Sequence, residues 1–231
     1  MNFDPKSDEI RALFPVLIQS ETAVTLLGGS HIDKADLVAA RALAPLVVAA
    51  DGGAHSALAH GVIPDAVIGD LDSFDPAIAP SIPSDRIHHI PEQDSTDFDK
   101  ALRSISAPFV LALGFVGGRI DHELAAYHTL IARPTPPCVV LGSEDLVVHI
   151  PHRIDMDLPP GTRVSLFTMA PVTARLSGLK WSFDAIELSP TTRIGTSNSA
   201  LGGPVRLSFD GPGTLLILPR DQLPTLLDAL I

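Results

Sequence analysis

Three short polar segments of the sequence, two of which follow apolar runs, carry six aspartates. The segments are ADGG at 50–53, GDLDS at 69–73 and QDSTDFDK at 93–100. Side chains alternate along an extended strand, so Asp70 and Asp72 project to the same side. Two carboxylates ~4 Å apart repel by about 4 kcal/mol at an effective dielectric near ~20. Because no Lys or Arg lies between Arg41 and Arg86, this pair requires a cation, a shared proton or solvent.

Magnesium chemistry is one way to use such a pair. Carboxylate oxygens suit Mg²⁺, which keeps several waters and is commonly held by one or two carboxylates and the phosphates of a substrate. Taken singly, the segments have a simpler explanation, because Asp beside Gly is ordinary turn chemistry. STDFDKAL is also a good helix start, with Ser95 or Thr96 as N-cap. Only joint placement on one edge of a sheet favours a site for phosphate chemistry.

Alternating strands and helices would bring the acidic segments together. The predicted strands cover 23–29, 45–53, 65–70 and 108–114, and the predicted helices cover 34–43, 54–60, 97–106 and 120–132. This order is typical of an α/β domain with a mostly parallel, Rossmann-like sheet and flanking helices. Ligands bind at the carboxyl ends of the strands in such sheets. Gly28, Asp51 and Asp70 fall at the carboxyl ends of predicted strands, so we expect them on one shared rim.

The second part of the chain has a different pattern. After about residue 145, short β-prone segments are separated by Pro and Gly turns. They cover 147–150, 163–169, 172–177, 183–188, 204–209 and 214–218. The length of 231 residues allows one large domain or two unequal ones. The change of pattern favours two, an α/β domain over 1–144 and a smaller antiparallel β domain over 145–231.

Composition excludes several classes of partner. The net charge of −11 and the pI near 5.1 argue against a nonspecific nucleic-acid binder, which needs clustered Lys and Arg. The apolar run at 42–50 is far shorter than the ~20 residues of a membrane span. The acidic start does not resemble a secretory signal, and a lone Cys138 fits a reducing compartment. We therefore expect a cytoplasmic protein that binds neither nucleic acid nor membrane.

Six motifs together resemble one known family, the thiamine pyrophosphokinases, also called thiamine diphosphokinases. The motifs are ADGGAHSAL, PDAVIGDLDS, QDSTDFDKAL, GGRIDHEL, GLKW (178–181) and GTSN (195–198). The resemblance implies an N-terminal α/β domain that binds ATP, a C-terminal β-sandwich that binds thiamine, and a homodimer with active sites at its interface. It also implies transfer of the β,γ-diphosphate of ATP to the thiamine hydroxyl with Mg²⁺, which gives thiamine diphosphate and AMP.

The resemblance also implies roles for individual residues. The catalytic carboxylates would be Asp70, Asp72, Asp97 and Asp121, of which Asp70, Asp72 and Asp97 would bind metal. Contacts to ATP would come from Asp51, Gln93, Lys100 and Arg119, and contacts to thiamine from Ser197 and Asn198. Either Asp97 or Asp121 would accept the hydroxyl proton. The chain departs from the family pattern at Ala126, where Asn is common, and Trp181 is expected to pack in the β domain because lone tryptophans are usually buried.

Two other functions are weighed against this one. A phosphatase could use DLDSF at 70–74 as an aspartyl nucleophile, but TDFDK and GGRIDH argue against that chemistry. A noncatalytic module could bind nucleotide or thiamine, but simple binding would not require all the acidic motifs. Product analysis distinguishes these functions, because only the kinase forms AMP together with thiamine diphosphate.

Overall fold

The computed structural model describes residues 15–231. The chain is α/β, with one large mixed sheet, one four-stranded antiparallel sheet and one two-stranded sheet. It has two compact units, the first ending at Gly118 and the second covering Arg119–Ile231. The predicted Rossmann-like, mostly parallel sheet is not confirmed, because the large sheet contains antiparallel as well as parallel pairs. The predicted domains over 1–144 and 145–231 stay a prediction.

The first unit alternates between strands and helices. Its strands are β1 (Ile18–Gln19), β2 (Val24–Leu27), β3 (Leu46–Ala50), β4 (Ala66–Gly69), β5 (Ile87–His89), β6 (Ile105–Ser106) and β7 (Val110–Leu113). Its helices are α1 (Lys34–Leu43), α2 (Gly53–Ala59) and α3 (Asp97–Arg103). Five strands run parallel in the order β7-β2-β3-β4-β5. Seven elements predicted for this unit are present, and their ends differ from the predicted ones by a few residues at most. The predicted ranges were 23–29, 34–43, 45–53, 54–60, 65–70, 97–106 and 108–114.

The central strands of this unit are apolar on both faces. Every residue of β2, β4 and β7 is buried, as expected where helices cover both sides of a parallel sheet. Parallel strands place their carboxyl ends at one edge. Asp51 follows β3 and Asp70 follows β4, so the fold delivers both carboxylates to the same edge.

The second unit is largely antiparallel. Its strands are β8 (Cys138–Leu141), β9 (Asp145–Ile150), β10 (Arg153–Leu158), β11 (Arg163–Thr168), β12 (Val172–Ser177), β13 (Phe183–Leu188), β14 (Gly195–Ser199), β15 (Gly203–Phe209) and β16 (Thr214–Pro219). Its helices are α4 (Ile120–Ala132) and α5 (Leu223–Leu230). The strand orders are β14-β11-β16-β9-β8 and β10-β15-β12-β13. The predicted antiparallel strands are present, while the β-sandwich description stays a prediction.

Side-chain alternation shapes the four-stranded sheet of the second unit. In β10, Ile154, Met156 and Leu158 are buried and the residues between them are exposed. The same period of two recurs in β12 and β15, so this sheet has one apolar face and one polar face. Within residues 15–231, no helix is both long and apolar enough to cross a membrane.

Candidate active site

Three carboxylates meet at the edge of the parallel sheet in the first unit. Asp51 follows β3, Asp70 follows β4, and Asp97 is the first residue of α3. One carboxylate oxygen from each lies within 4.8 Å of those from the other two. The acidic segments at 50–53, 69–73 and 93–100 are therefore brought together.

The backbone at this edge is shaped to let the carboxylates approach. A Cβ atom on Gly69 would lie 2.8 Å from Cβ of Asp51 and 3.0 Å from Oδ1 of Asp97, so a larger residue would push the cluster apart. Asp51 has a φ of 43° and Leu71 a φ of 63°. These left-handed conformations are unusual for residues with a side chain and cluster at functional sites. They turn the chain sharply just after β3 and β4.

The position of Asp97 is fixed by a helix cap. Thr96 has an extended backbone, and its Oγ1 accepts a hydrogen bond of 3.3 Å from the backbone N–H of Asp99. This is the usual N-cap arrangement, and it confirms one of the two cap residues that the sequence predicts. Asp97 and Asp99 then lie in the first turn of α3, where the helix dipole favours negative charge.

Lys100 lies inside the cluster. Its Nζ is 2.6 Å from Oδ2 of Asp70 and 3.2 Å from Oδ1 of Asp97, and its side chain is 1% exposed. Burial alone would lower the pKa of Lys100, but the hydrogen bonds and charges of these two carboxylates raise it. Burial also raises the pKa of Asp70, and the bond from Lys100 outweighs that effect and lowers it. Lys100 and Asp70 are therefore both charged at neutral pH.

Asp51 is the carboxylate without a cation of its own. It is 2% exposed, and its Oδ2 accepts a hydrogen bond of 3.0 Å from the backbone N–H of Ser73. Its Oδ1 is buried and has no hydrogen-bond partner among the described residues. Burial raises the pKa of Asp51, and the negative charges of Asp97 and other nearby carboxylates raise it further. A cation placed here would relieve an unfavourable charge.

Asp72 and Gln93 lie beside the cluster. The backbone N–H of Asp72 donates to Oδ1 of Asp70 at 3.2 Å, and Asp72 Oδ1 accepts from the hydroxyl of Ser73 at 3.0 Å. Gln93 Nε2 donates to Oδ2 of Asp70 at 3.2 Å. The close group of three is completed by Asp51 rather than Asp72, so metal binding by Asp72 stays a prediction.

Arg103 is a buried arginine of α3 that the sequence analysis did not include among the site residues. Arg103 Nη1 lies 2.9 Å from Oδ2 of Asp99 and 3.1 Å from Oγ of Ser95, while Nη2 lies 2.7 Å from Oε1 of Glu92. Burial alone would raise the pKa of Glu92, but hydrogen bonds from Ser95 and Arg103 lower it to about 2. The Asp99 to Arg103 spacing of four residues on a helix was the available signal. This network joins α3 to the loop that carries Gln93.

Arg119 and Asp121 open α4 in the second unit and pair with each other. Arg119 Nε lies 3.1 Å from Oδ1 of Asp121, and Nη2 lies 2.6 Å from Oδ2. Both side chains are exposed. The hydrogen bond from Arg119 lowers the pKa of Asp121 to about 2. Ala126, the departure from the family pattern, is buried in the same helix.

The predicted thiamine contacts lie on β14. Ser197 is exposed with a φ of 61°, and its backbone N–H donates to Oγ of Ser165 at 2.9 Å. Asn198 uses its side-chain amide to hold the backbone of Trp181. Oδ1 accepts from the Trp181 N–H at 3.1 Å, and Nδ2 donates to the Trp181 carbonyl at 2.8 Å.

Trp181 does not pack in a core. It is 50% exposed, and Nζ of Lys180 lies 4.9 Å from its ring centroid. The prediction of a buried tryptophan is therefore wrong. The hydrogen bonds from Asn198 fix the backbone of a residue whose indole faces solvent, an arrangement that leaves a flat aromatic surface available.

Two family models match the chain in sequence order. The model described as "Thiamin pyrophosphokinase, catalytic domain" matches residues 40–140, and "Thiamin pyrophosphokinase, vitamin B1 binding domain" matches residues 148–213. Among curated proteins, thiamine pyrophosphokinase 1 of Oryza sativa subsp. japonica is 27% identical over 166 residues, which cover 64% of this chain and 63% of that protein. Thiamin pyrophosphokinase 1 of Caenorhabditis elegans is 27% identical over 173 residues, covering 65% and 70%. The chain thus spans less than two thirds of the rice protein.

Solved structures share the fold. Thiamin pyrophosphokinase from Candida albicans matches with a TM-score of 0.72 at 16% identity, covering 87% of this chain and 92% of that chain. Yeast thiamin pyrophosphokinase matches with a TM-score of 0.72 at 18% identity, covering 94% and 95%. A protein from Lactobacillus plantarum matches with a TM-score of 0.71 at 26% identity, covering 87% and 99%. These structures show a shared fold, and the two family models, which together match more than half of the chain, show that it belongs to the thiamine pyrophosphokinase family.

Proposed function

We propose that the chain is an ATP-dependent thiamine diphosphokinase, which transfers the β,γ-diphosphate of ATP to the thiamine hydroxyl and releases thiamine diphosphate and AMP. The observation that carries the proposal is the convergence of Asp51, Asp70 and Asp97 in a chain that matches both domain models of the family. Transfer of phosphoryl groups depends mainly on positioning and charge stabilisation. A cluster of carboxylates that can hold a divalent cation suits that chemistry.

The cluster fits Mg²⁺ as the cofactor. Lys100 balances only part of the negative charge of Asp70 and Asp97, and the buried Oδ1 of Asp51 has no partner among residues 15–231. Oxygen ligands alone are what Mg²⁺ prefers. We therefore assign metal binding to Asp51, Asp70 and Asp97, with Asp72 beside them. When bound, the metal would supply positive charge to the phosphate oxygens of ATP.

The remaining polar groups would orient ATP and take up the hydroxyl proton. Lys100 holds the carboxylates of Asp70 and Asp97 in place through its hydrogen bonds. Gln93 and Arg119 are assigned to phosphate or nucleotide contacts. The hydroxyl proton passes to Asp97 or Asp121, and the pKa of about 2 for Asp121 makes it a weaker base than an ordinary carboxylate.

The second unit would bind thiamine. The exposed indole of Trp181 already has Nζ of Lys180 over its ring, and its remaining surface is offered to the aromatic rings of thiamine, because a cation such as thiazolium is attracted to the face of tryptophan. Ser197 and Asn198 lie on strand β14. The side chain of Asn198 forms two hydrogen bonds with the Trp181 backbone, which places Trp181 beside this strand. We therefore assign thiamine binding to these three residues.

The proposal includes an organisation beyond the single chain. It assigns ATP to a domain over 1–144 and thiamine to a domain over 145–231. It also includes a homodimer with active sites at its interface, and a cytoplasmic location. Sedimentation of the purified chain would give the number of copies directly.

One assay tests the reaction. The full chain is incubated with ATP, Mg²⁺ and thiamine, and the products are separated by chromatography. We expect AMP and thiamine diphosphate in equal yield, and neither product when EDTA replaces Mg²⁺. Release of inorganic phosphate without AMP would support the phosphatase, and binding of both substrates without AMP would support the noncatalytic module.

A further inference from the structure

Three arginines share the polar face of the four-stranded sheet in the second unit. Arg153 on β10 and Arg175 on β12 both lie opposite Ser208 of the central strand β15. Arg206, two residues before Ser208, lies opposite Asp155 on one side and Ser177 on the other. Residues directly opposite one another in a sheet share a face. The three arginines therefore lie on the same face of the sheet as Ser208 of the strand between them.

The arginines line a groove. The groove has a volume of about 230 Å³ and is lined by all three of them, together with Ser177, Ser208 and Asp184. One water occupies ~30 Å³ of liquid, so the groove has room for an anion as large as a diphosphate. Its charged lining consists of three cationic side chains and one carboxylate, in a chain whose net charge is −11.

Two of the arginines keep their hydrogen-bonding capacity. Arg153 is paired with Asp155, since its Nε and Nη2 lie 3.2 Å and 2.6 Å from Oδ2 of that carboxylate. Within the described part of the chain, no carboxylate lies within salt-bridge distance of Arg175 or Arg206. Asp155 and Asp210 lie near enough for the charges of Arg206 and Arg175 to contribute to lowering their pKa, but neither carboxylate forms a hydrogen bond with these two guanidinium groups, whose N–H donors can therefore bind an anion from solution.

We propose that this arginine groove binds a small molecule through its diphosphate group. A guanidinium presents a planar fork of donors that matches phosphate oxygens in pairs. Arg175 and Arg206 lie on adjacent strands and can each take one end of a diphosphate, while the hydroxyls of Ser177 and Ser208 lie between them as further donors. A monocarboxylate would satisfy only one of the two forks. This inference concerns the second unit alone and does not depend on the proposed reaction.

Calorimetric titration with inorganic diphosphate tests the groove. The full chain is titrated in EDTA, so that the carboxylate cluster of the first unit holds no metal to attract the probe. We expect the wild type to bind one diphosphate per chain, with an affinity that weakens as the salt concentration rises. The variant R175Q/R206Q should bind at least tenfold more weakly. R206K, which keeps the charge but loses the fork, should show an intermediate loss.

The control is Arg41→Gln, which removes an exposed positive charge from α1 and should leave the affinity unchanged. Thermal unfolding of each variant checks that the sheet is intact. Absence of binding by the wild type would overturn the proposal. Equal binding by R175Q/R206Q and R41Q would also overturn it, because the probe would then occupy another site. A change in oligomeric state caused by R175Q/R206Q would instead assign the arginines to an interface between copies.

Discussion

Nζ of Lys100 lies 2.6 Å from Oδ2 of Asp70, and the two side chains are only 1% and 10% exposed. Removing one partner of a buried ion pair leaves an uncompensated charge and typically costs about 3–5 kcal/mol. Lys100→Met should therefore lower the free energy of unfolding by about 3 kcal/mol at pH 7 and abolish AMP formation. Urea unfolding followed by circular dichroism measures the first effect.

The loss in free energy of unfolding caused by Lys100→Met should depend on pH. The pKa of Asp70 in the folded protein is lowered, with the bond from Lys100 outweighing burial. Stability from this pair is therefore present above the unfolded pKa of ~3.9 and is lost as pH falls below it. The difference in free energy of unfolding between the wild type and Lys100→Met should become smaller as pH falls towards 3. Lys34→Met, at the exposed start of α1, is the control, and an equal deficit in both variants would contradict the prediction.

Glu92 should contribute to stability at neutral pH through Arg103. The two groups lie 2.7 Å apart, and hydrogen bonds to charged groups contribute ~1.5–3 kcal/mol. Glu92→Gln should lower the free energy of unfolding by about 2 kcal/mol at pH 7. The pKa of Glu92 is lowered to about 2, so the contribution is present above its ordinary value near 4.5 and is lost as pH falls from there towards 2.

Denaturation at pH 7 and pH 3 measures this difference. The exposed Glu21→Gln is the control, and it should change little at either pH. If Glu92→Gln were as destabilising at pH 3 as at pH 7, the effect would come from packing rather than from charge. Because the loop beside Glu92 carries Gln93, the variant should also raise the KM for ATP.

Much of the first unit follows from the sequence, since β2, β3, β4 and β7 are short apolar runs followed by turn residues. Strand β14 was not predicted because GTSNS has no apolar alternation. Strand β10 was not predicted although RIDMDL alternates between buried and exposed residues. The alternation of Ile154, Met156 and Leu158 was therefore an available signal for β10, whereas β14 carries no such signal and is held by its pairing with β11.

Part of the candidate site was predictable, because the order of strands and helices could be predicted from the sequence. Strand order places Asp51 and Asp70 on one edge, and the cap at Thr96 fixes the start of α3. Burial of Lys100 inside the cluster was not predictable, because a lysine on a helix more often faces solvent. The backbone of the exposed Trp181 is held by two hydrogen bonds with the side chain of Asn198, seventeen positions along the chain. Such long-range contacts leave no periodic signal.

Asp51 should couple stability to metal binding. Its pKa is raised by burial and by nearby carboxylates, so its ionised form disfavours folding, and this cost grows as pH rises through the folded pKa. Each pKa unit corresponds to ~1.4 kcal/mol. Asp51→Asn, which can still accept the Ser73 bond, should therefore raise the free energy of unfolding at pH 8 in EDTA.

Asp51→Asn should be more stable than the wild type in EDTA, and Mg²⁺ should make the wild type the more stable of the two. A ligand at ~100 times its Kd stabilises the folded state by about 2.7 kcal/mol, so Mg²⁺ should stabilise the wild type and have little effect on Asp51→Asn. Thermal unfolding in EDTA and in Mg²⁺, at matched ionic strength, gives both values. Asp85→Asn, an exposed residue, should respond to Mg²⁺ as the wild type does. An identical response in Asp51→Asn would remove Asp51 from the metal site.

Asp72 should matter for turnover more than for folding. Its side chain is exposed and contacts the hydroxyl of Ser73, so Asp72→Asn should change the free energy of unfolding by less than ~0.5 kcal/mol. We expect AMP formation to fall at least tenfold, because one carboxylate beside the metal ligands is neutralised. Asp85→Asn is the matched control. Near-normal turnover in Asp72→Asn would exclude a role in metal or phosphate binding.

Asn198 should act on thiamine through Trp181. The side-chain amide of Asn198 forms hydrogen bonds with both the N–H and the carbonyl of Trp181. Asn198→Ala should therefore release the backbone of Trp181. We expect the KM for thiamine to rise about tenfold, with a smaller change in kcat. The chain has one tryptophan, so its fluorescence reports this residue alone. Thiamine should quench the emission of the wild type, and Asn198→Ala should need a higher thiamine concentration for the same quenching. Thr192→Ala, exposed in the same unit, is the control, and unchanged quenching in Asn198→Ala would show that thiamine binds without this support.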